Sequence, residues 1–248
     1  MRHQLLGLAL ATFSGVALAP SAASAQLMVS HACVGSTPAS NEAYIWVNAN
    51  YGSTCSALYI GYYPTSSNFG LPNDSISSFK TGSGVRLRFF KDAVYTSSGG
   101  PLIEPANTLG AGMIAGWNDV VSSIKVDDNS RAQDCSDLRA GEFGVYSDAN
   151  YANDCSVLMY NVGYVDAQHM GIQDSAISSI RGGVAPTGTF SCTHGSPGWY
   201  LTFFDGNNFS GPSFNVNPGP GSLLPNLTTQ GWNDRIGSVS SAYICPPS

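Results

Sequence analysis

Four short segments of this chain carry one pattern, and they constrain its fold more than any other feature. Asn118-Asp119-Val120-Val121-Ser122-Ser123 is the clearest. Asn73-Asp74-Ser75-Ile76-Ser77-Ser78 and Asp174-Ser175-Ala176-Ile177-Ser178-Ser179 repeat it, and Asn233-Asp234-Arg235-Ile236-Gly237-Ser238 is a looser copy. One such hexamer is an ordinary polar turn running into a strand. Four are not, because each follows a second shared feature: an aromatic residue, four others, and another aromatic. The aromatic pairs are Trp46/Tyr51, Phe90/Tyr95, Tyr146/Tyr151 and Phe204/Phe209, and the hexamers begin 27, 28, 28 and 29 residues after the first member. Two signatures held in register four times define an internal repeat of about forty residues or more, and hence a modular architecture.

The segments between these landmarks read as strands and turns. Residues 43–47, 56–60, 85–90 and 199–204 are rich in β-branched and aromatic side chains and are bounded by Gly, Asn, Ser or Pro. No long stretch has helical periodicity; residues 222–227 are expected to hold at most a helical turn. Many short strands with regular turn signals imply an all-β sandwich. Hydrophobic residues make up 43% of the chain, enough for a core, whereas charged residues are only 10%, against roughly a quarter in average proteins. The net charge of −6 with ten Lys and Arg leaves no basic patch, which argues against a nucleic-acid partner.

Residues 1–25 read as a signal peptide: Met1-Arg2-His3, an apolar run over 5–18, then Ala23-Ser24-Ala25, with the mature chain expected to start at Gln26. No second long apolar stretch follows, so no membrane span is expected after its removal. Export, secreted or periplasmic, makes the six cysteines disulfide candidates. The repeat narrows their pairing. Cys55 and Cys155 each lie nine residues after the first aromatic of their repeat, and Cys33 and Cys135 precede them by 22 and 20 residues. Cys33–Cys55 and Cys135–Cys155 are therefore expected as equivalent bridges, leaving Cys192–Cys245. Each would contribute roughly 2–4 kcal/mol. No C-x-x-C spacing supports a thiolate metal site.

The polar stretch 127–134 separates repeats one and two from repeats three and four. It reads as a linker between two domains, 26–131 and 132–248. Repeats one and three share matched cysteines, and repeats two and four share Gly-Trp-Asn-Asp at 116–119 and 231–234, so the order is A-B-A′-B′.

An aromatic–x4–aromatic hairpin followed by (N/D)(N/D)xx(S/T)S resembles the βγ-crystallin Greek-key motif in its microbial, calcium-binding form. The match spans residues 43–244. Repeat four has the best hairpin, with Gly211 two residues after its second aromatic; Ser53, Ser97 and Asn153 stand there in the others. The resemblance implies two four-stranded Greek keys packed as a sandwich in each domain. It implies calcium ions (Ca2+) between the paired hexamers, with the third residue of one lending its carbonyl and the fifth residue of the other its hydroxyl. One first-domain site would use Ser75 and Ser122, the other Val120 and Ser77, with Asn73 and Asn118 as first-position ligands or supports. In the second domain, with Asp174 in the first position, Arg235 and Ser178 would form one site. Its partner lacks a hydroxyl at Gly237, and Ser175 stands where Asn or Asp is wanted, so that site is crippled; Gly237→Ser is expected to strengthen it. The residue after each first aromatic, Val47, Lys91, Ser147 and Asp205, would lend a further carbonyl. Trp117 and Trp232 are expected as core anchors beneath the loops.

Calcium takes about six to eight oxygens in flexible geometry, which Asn, Asp, Ser and turn carbonyls supply. Few carboxylates imply micromolar or weaker affinity. Catalysis is not expected: His31, His169 and His194 show no spacing to a nucleophile, and His194-Gly195-Ser196-Pro197-Gly198 lacks the G-x-S-x-G elbow. Two functions compete: a calcium-stabilised extracellular structural or stress-related protein, and a secreted protease inhibitor or antimicrobial, toxin-like protein acting on an extracellular protein partner. The candidate inhibitory loop is Asn217-Pro218-Gly219-Pro220-Gly221.

Overall fold

A computed structural model describes residues 27–183, 198–216 and 223–244. The first half carries β1 (His31–Ala32), β2 (Glu42–Asn48), β3 (Gly52–Tyr59), β4 (Gly61–Tyr63), β5 (Ser78–Thr81), β6 (Val85–Phe90), β7 (Leu102–Glu104), β8 (Leu109–Gly110) and β9 (Ser123–Asp128). They form two antiparallel sheets, ordered β1-β3-β2-β5-β8 and β4-β9-β6-β7. The third strand of each motif leaves its own sheet: β4 pairs with β9, and β8 with β5. That exchange makes two Greek keys into one sandwich. Ile45, Leu58, Ile76, Leu87, Phe89, Val121 and Ile124 fill the space between its sheets.

The second half repeats the plan with β10 (Glu142–Asp148), β11 (Ala152–Met159), β12 (Ser179–Gly182), β13 (Gly198–Gly206), β14 (Ser210–Val216), β15 (Leu223–Leu224) and β16 (Ser238–Ile244). Its sheets run β11-β10-β12-β15 and β14-β13-β16. An isolated bridge, Tyr164 to Val239, stands where β4 stands in the first half. The core includes Phe143, Val145, Leu158, Ile177, Leu201, Phe203 and Ile236.

The expected strands are present, with shifted ends. The segment expected at 56–60 is the end of a longer strand, because across a bulge Asn48 pairs with Gly52 and extends β3 back to the hairpin. The helical turn expected at 222–227 falls instead at Leu227–Gln230. Leu224 precedes Pro225, which disfavours helical backbone, and Leu223–Leu224 pairs as a strand. Asn226 then caps the turn, accepting the Thr228 N–H at 2.8 Å. The linker is also shorter than its polar composition suggests, since Asp127 and Asp128 belong to β9. Cys33–Cys55 and Cys135–Cys155 are bonded; Cys192, Cys245 and residues 1–25 lie outside the described residues. No helix among the described residues is long and apolar enough to cross a membrane.

The fixed distance between aromatic pair and hexamer has one physical cause. The sixth hexamer residue, Ser78, Ser123, Ser179 or Ser238, is the first residue of the fourth strand and is fully buried. Its hydroxyl accepts the N–H of the second aromatic: Tyr51 at 3.1 Å, Tyr95 at 2.9 Å, Tyr151 at 3.1 Å and Phe209 at 3.0 Å. It donates to a hairpin carbonyl: Asn48, Asp92 and Asp148 at 2.7 Å, Gly206 at 2.6 Å. The hairpin needs these bonds because its tip is left-handed. Tyr51, Tyr95, Tyr151 and Phe209 have φ of 61°, 59°, 61° and 58°, as do their predecessors Asn50, Val94, Asn150 and Asn208 at similar values. Backbone in that region is costly for a large side chain. The two rings of each pair then meet edge to face, with centroids 5.2–5.8 Å apart. Ser53 and Asn153 adopt the left-handed conformation of Gly211, so repeats one and three keep the hairpin of repeat four. Ser97 does not, and repeat two resumes pairing only at β7.

The two sandwiches meet through charge. In β6 and β9, Leu87, Phe89, Ile124 and Val126 face the core, so the alternate residues Arg86, Arg88, Lys125 and Asp127 face outward. Arg86, Arg88 and Lys125 are nevertheless buried and Asp127 half-buried, because β11 lies over Arg88 and Lys125 and the Arg131 and Ala132 carbonyls close over Arg86. Arg88 grips Asp127 through Nε and Nη2 at 2.6 and 2.7 Å, and donates from Nη1 to Asp154 Oδ1 at 2.7 Å and the Cys155 carbonyl at 2.9 Å. Lys125 Nζ lies 2.6 Å from Asp154 Oδ2 and over the Tyr95 and Phe90 rings. Burial pushes the Lys125 ammonium down to about 8 against the pull of Asp154. Burial would raise the Asp127 carboxyl, but Arg88, with Lys125 and Arg86, outweighs it and holds Asp127 below its usual range.

Two predictions follow from these contacts. Ser123→Ala strands a buried N–H and a buried carbonyl, and denaturant unfolding should show a loss of about 1–3 kcal/mol; no loss would deny the hydroxyl its stapling role. Asp127, with a depressed folded pKa, contributes stability that is complete above its ordinary value of 3.8 and is lost as pH falls through the lower folded value. Below about pH 4, melts of Asp127→Asn should therefore fall less steeply than those of the parent; parallel slopes would show that this carboxylate is not linked to folding.

Candidate metal centre

The hexamers are amphipathic along their length. The first two residues are exposed or nearly so, the fourth is buried in the core (Ile76, Val121, Ile177, Ile236), and the sixth is the staple. The second residue, Asp74, Asp119, Ser175 or Asp234, is left-handed, with φ of 52–55°. Asp and Asn tolerate this region best. This kink turns the front of each loop toward its partner. The Asp74 N–H donates to the Val121 carbonyl at 3.3 Å, Asp119 to Ile76 at 3.2 Å, and Asp234 to Ile177 at 3.3 Å.

Side chains cross between the loops in the same sense. Ser77 Oγ donates to Asp119 Oδ1 at 2.9 Å, Ser122 Oγ to Asp74 Oδ1 at 3.0 Å, and Ser178 Oγ to Asp234 Oδ1 at 3.0 Å. The other carboxylate oxygen of each Asp accepts from its predecessor's amide: Asn73 to Asp74 and Asn118 to Asp119 at 2.7 Å, Asn233 to Asp234 at 2.5 Å. Each crossing thus joins position two of one loop to position five of the next. The fourth crossing would join Ser175 to Gly237, and neither has the group the others use. The two departures seen in the sequence are one defect.

The fifth residue also binds its own hairpin. The N–H groups of Ser77, Ser122, Ser178 and Gly237 donate to the carbonyls of Trp46, Phe90, Tyr146 and Phe204, each at 2.9 Å. Every crossing hydroxyl is thereby set beside the hairpin residue after the first aromatic: Val47, Lys91 or Ser147. In repeat four, Asp205 holds that place, and its carbonyl lies 2.9 Å from where a Cβ on Gly237 would be. Of the expected donors, Ser77, Ser122 and Ser178 are buried, while Ser75 and Val120 are half-buried. Ser75 Oγ donates to the Pro72 carbonyl, so its own carbonyl is the group left for a ligand. Arg235 is exposed, its guanidinium bonded to Asp205 Oδ2 at 2.6 Å. Asn73 and Asn118 brace the adjacent carboxylates. Asp174 is exposed and lines a cavity of about 140 Å³ with Asp166 and Asn207. Trp232 is a core residue stacked on Phe214 at 5.7 Å, but Trp117 is only half-buried, with the Lys91 ammonium 5.1 Å over its ring.

The residues that sequence reasoning missed are Asp74, Asp119 and Asp234. The signal was there: Asp occupies position two in three hexamers, and the exception faces the one hexamer without a serine at position five. A hydroxyl whose proton is committed to a carboxylate presents its lone pairs to a cation. Carbonyls, hydroxyls and a nearby carboxylate form a hard all-oxygen donor set, which fits calcium at three crossings and not at the fourth. No group of three His, Cys, Asp or Glu side chains among the described residues could hold a metal. The 194–197 turn and the 217–221 loop lie outside the described residues.

By its strand order the chain is all-β, with two βγ-crystallin-like Greek-key sandwiches of two motifs each. Several of the solved structures it aligns with are βγ-crystallin domains. One is from a study of the evolution of the eye-lens βγ-crystallin domain fold, with 20% identity, a TM-score of 0.34, and 44% of this chain and 91% of that one covered. A βγ-crystallin domain from Flavobacterium johnsoniae aligns at 26% identity and a TM-score of 0.33, covering 36% and 98%. One from Clostridium beijerinckii aligns at 25% identity and a TM-score of 0.30, covering 34% and 95%. No family model and no curated protein matches the sequence.

The Gly237 geometry reverses one expectation. A Cβ there would also come within 3.0 Å of the Gly206 carbonyl carbon and 3.1 Å of Asn207 Oδ1. Gly237→Ser should therefore lower the melting temperature by forcing the repeat-four hairpin aside, and should add no bound ion in a calcium titration. A stable variant with one more ion would show that the hairpin yields freely.

Proposed function

We propose that this is a secreted calcium-binding protein of structural or stress-related role, in which calcium rigidifies paired Greek-key loops. The observation that carries the reading is the crossed Asp–Ser pair, present at three of the four equivalent positions and absent, both members together, at the fourth. A turn serving only its own backbone has no need of a hydroxyl presented to the opposite loop by a carboxylate. In the first domain the ligands are the Ser75 and Val120 carbonyls, the Ser122 and Ser77 hydroxyls, and the Val47 and Lys91 carbonyls. In the second they are the Arg235 and Ser147 carbonyls with the Ser178 hydroxyl. Asp74, Asp119 and Asp234 orient the hydroxyls from behind and supply the negative charge, as outer-shell groups do in metal sites generally.

Calcium in this role acts on stability by mass action. An ion that binds only the folded state contributes about 2.7 kcal/mol at a hundredfold excess over its dissociation constant. Two disulfides and a sparsely charged sequence suit an oxidising extracellular compartment, where calcium is abundant enough for weak sites to fill.

The test is calcium titration calorimetry on the chelator-stripped mature chain, with thermal melts alongside. About two to three ions should bind, with a raised melting temperature. Ser77→Ala and Ser122→Ala should each weaken one first-domain site and leave the fold intact. If neither variant changes the affinity, the ligand assignment is wrong. If the parent gives neither heat nor a melting shift, the hexamers are turns and nothing more.

A further inference from the structure

The second-domain loop pair is connected to the boundary between the sandwiches through a residue of its own donor set. Ser147 follows the first aromatic of repeat three, Tyr146, whose carbonyl accepts the Ser178 N–H at 2.9 Å. Its side-chain oxygen has another partner, the Asp154 N–H at 3.1 Å. The Asp154 carboxylate is in turn the acceptor that Arg88 and Lys125 reach from the first domain, at 2.7 and 2.6 Å. Two successive contacts thus join a candidate calcium ligand to the interdomain ion cluster.

A cavity of about 400 Å³ opens at the same place. From the second domain it is lined by Ser147, Ser175 and Asp234, and from the first by Tyr95, Ser97 and Gly100. The Ser97 hydroxyl is buried without a hydrogen-bond partner, and a Cβ on Gly100 would lie 3.3 Å from Asn153 Oδ1. Tyr95, whose N–H is held by the Ser123 staple, reaches across with its hydroxyl to the Gln168 carbonyl at 3.4 Å. The first-domain hexamers take no part in this lining. The two loop pairs are therefore not equivalent: among the described residues, only the second lines this shared cavity.

We propose that calcium occupancy of the second-domain loop pair and the docking of the two domains are linked equilibria, with Ser147 and Asp154 as the link. This rests on the calcium reading above and goes beyond it. A cation drawing on the Ser147 carbonyl fixes the 147–154 hairpin and with it the Asp154 amide. The Asp154 carboxylate is then held in line with Arg88 and Lys125. By reciprocity, the docked junction raises the affinity of that one site. The coupling travels through contiguous hydrogen bonds and packed groups rather than through distance alone.

The experiment is hydrogen–deuterium exchange on the full mature chain, calcium-free and with calcium added, beside calorimetry to count ions. In the parent, calcium should slow exchange over 153–157 and across the boundary over 94–101. Ser178→Ala should keep the first-domain ions and abolish the boundary response. Ser147→Ala keeps the carbonyl and removes the acceptor of the Asp154 amide. It should retain its full count of ions, lose the boundary response, and bind its second-domain ion at least about fivefold more weakly. An unresponsive boundary in a parent that binds its ions would overturn the linkage and leave the calcium reading standing. So would a response of equal size in Ser178→Ala. A parent that binds no calcium would defeat both.

Discussion

A hydroxyl buried beneath each hairpin is the contact on which the rest of this fold depends. The hairpin tips place two consecutive residues in left-handed backbone, and in each repeat the second of them is aromatic. Such a tip persists only if its surroundings over-determine it. The sixth-position serine does so by taking one hairpin N–H and serving one hairpin carbonyl, while the two aromatic rings close over the same point. Because that serine opens the fourth strand, it also fixes where that strand starts against the first. The hexamer in front of it has no freedom to slide. Its fourth residue falls into the core, its fifth beside the hairpin carbonyls, and its second against the opposite loop. The candidate metal centre is thus a consequence of hairpin register.

This is why so much of the fold was legible in the sequence. The offset between aromatic pair and hexamer is the written form of a hydrogen bond between residues 27 to 29 positions apart. The two repeat-matched disulfides followed from the same register. What was not legible lies where two repeats meet. Asp74, Asp119 and Asp234 act on serines of the neighbouring repeat, so their role is invisible within one hexamer. The domain junction was hidden for a similar reason. Val85-Arg86-Leu87-Arg88-Phe89-Phe90 alternates as a strand with one wet face should. Only the position of β11 shows that the wet face is dry. Asp127 and Asp128, polar and next to a turn, read as linker for want of that information.

Duplication leaves each hexamer with two tasks, one inside its own repeat and one across the loop pair. Divergence has kept the first everywhere: four staples, four buried fourth residues, four edge-to-face pairs. The second is absent once. Ser175 and Gly237 are 62 positions apart in sequence but are partners in geometry, and a crossing that lacks one member leaves the other without purpose. Gly237 is built in, because its hairpin packs against the space a side chain would fill. A loop without the crossing pair can close tightly, and opening it takes more than adding a hydroxyl.

The junction between the sandwiches follows a different economy. The chain has only ten Lys and Arg residues, and Arg86, Arg88 and Lys125 are buried at this single place. Burying charges is costly even when they are paired, and an apolar junction of the same size would hold the domains at least as firmly. What the charges add is intolerance of error. A docking shifted by one strand residue would leave Lys125 and Arg88 desolvated without Asp154, whereas an apolar face would accept the shift. Asp154 also sits next to Cys155, which the Cys135 bridge holds, and its amide is bonded to Ser147. The acceptor is therefore anchored on both sides by the second domain. The orientation of the two domains is set by the same hairpin that carries the second candidate centre.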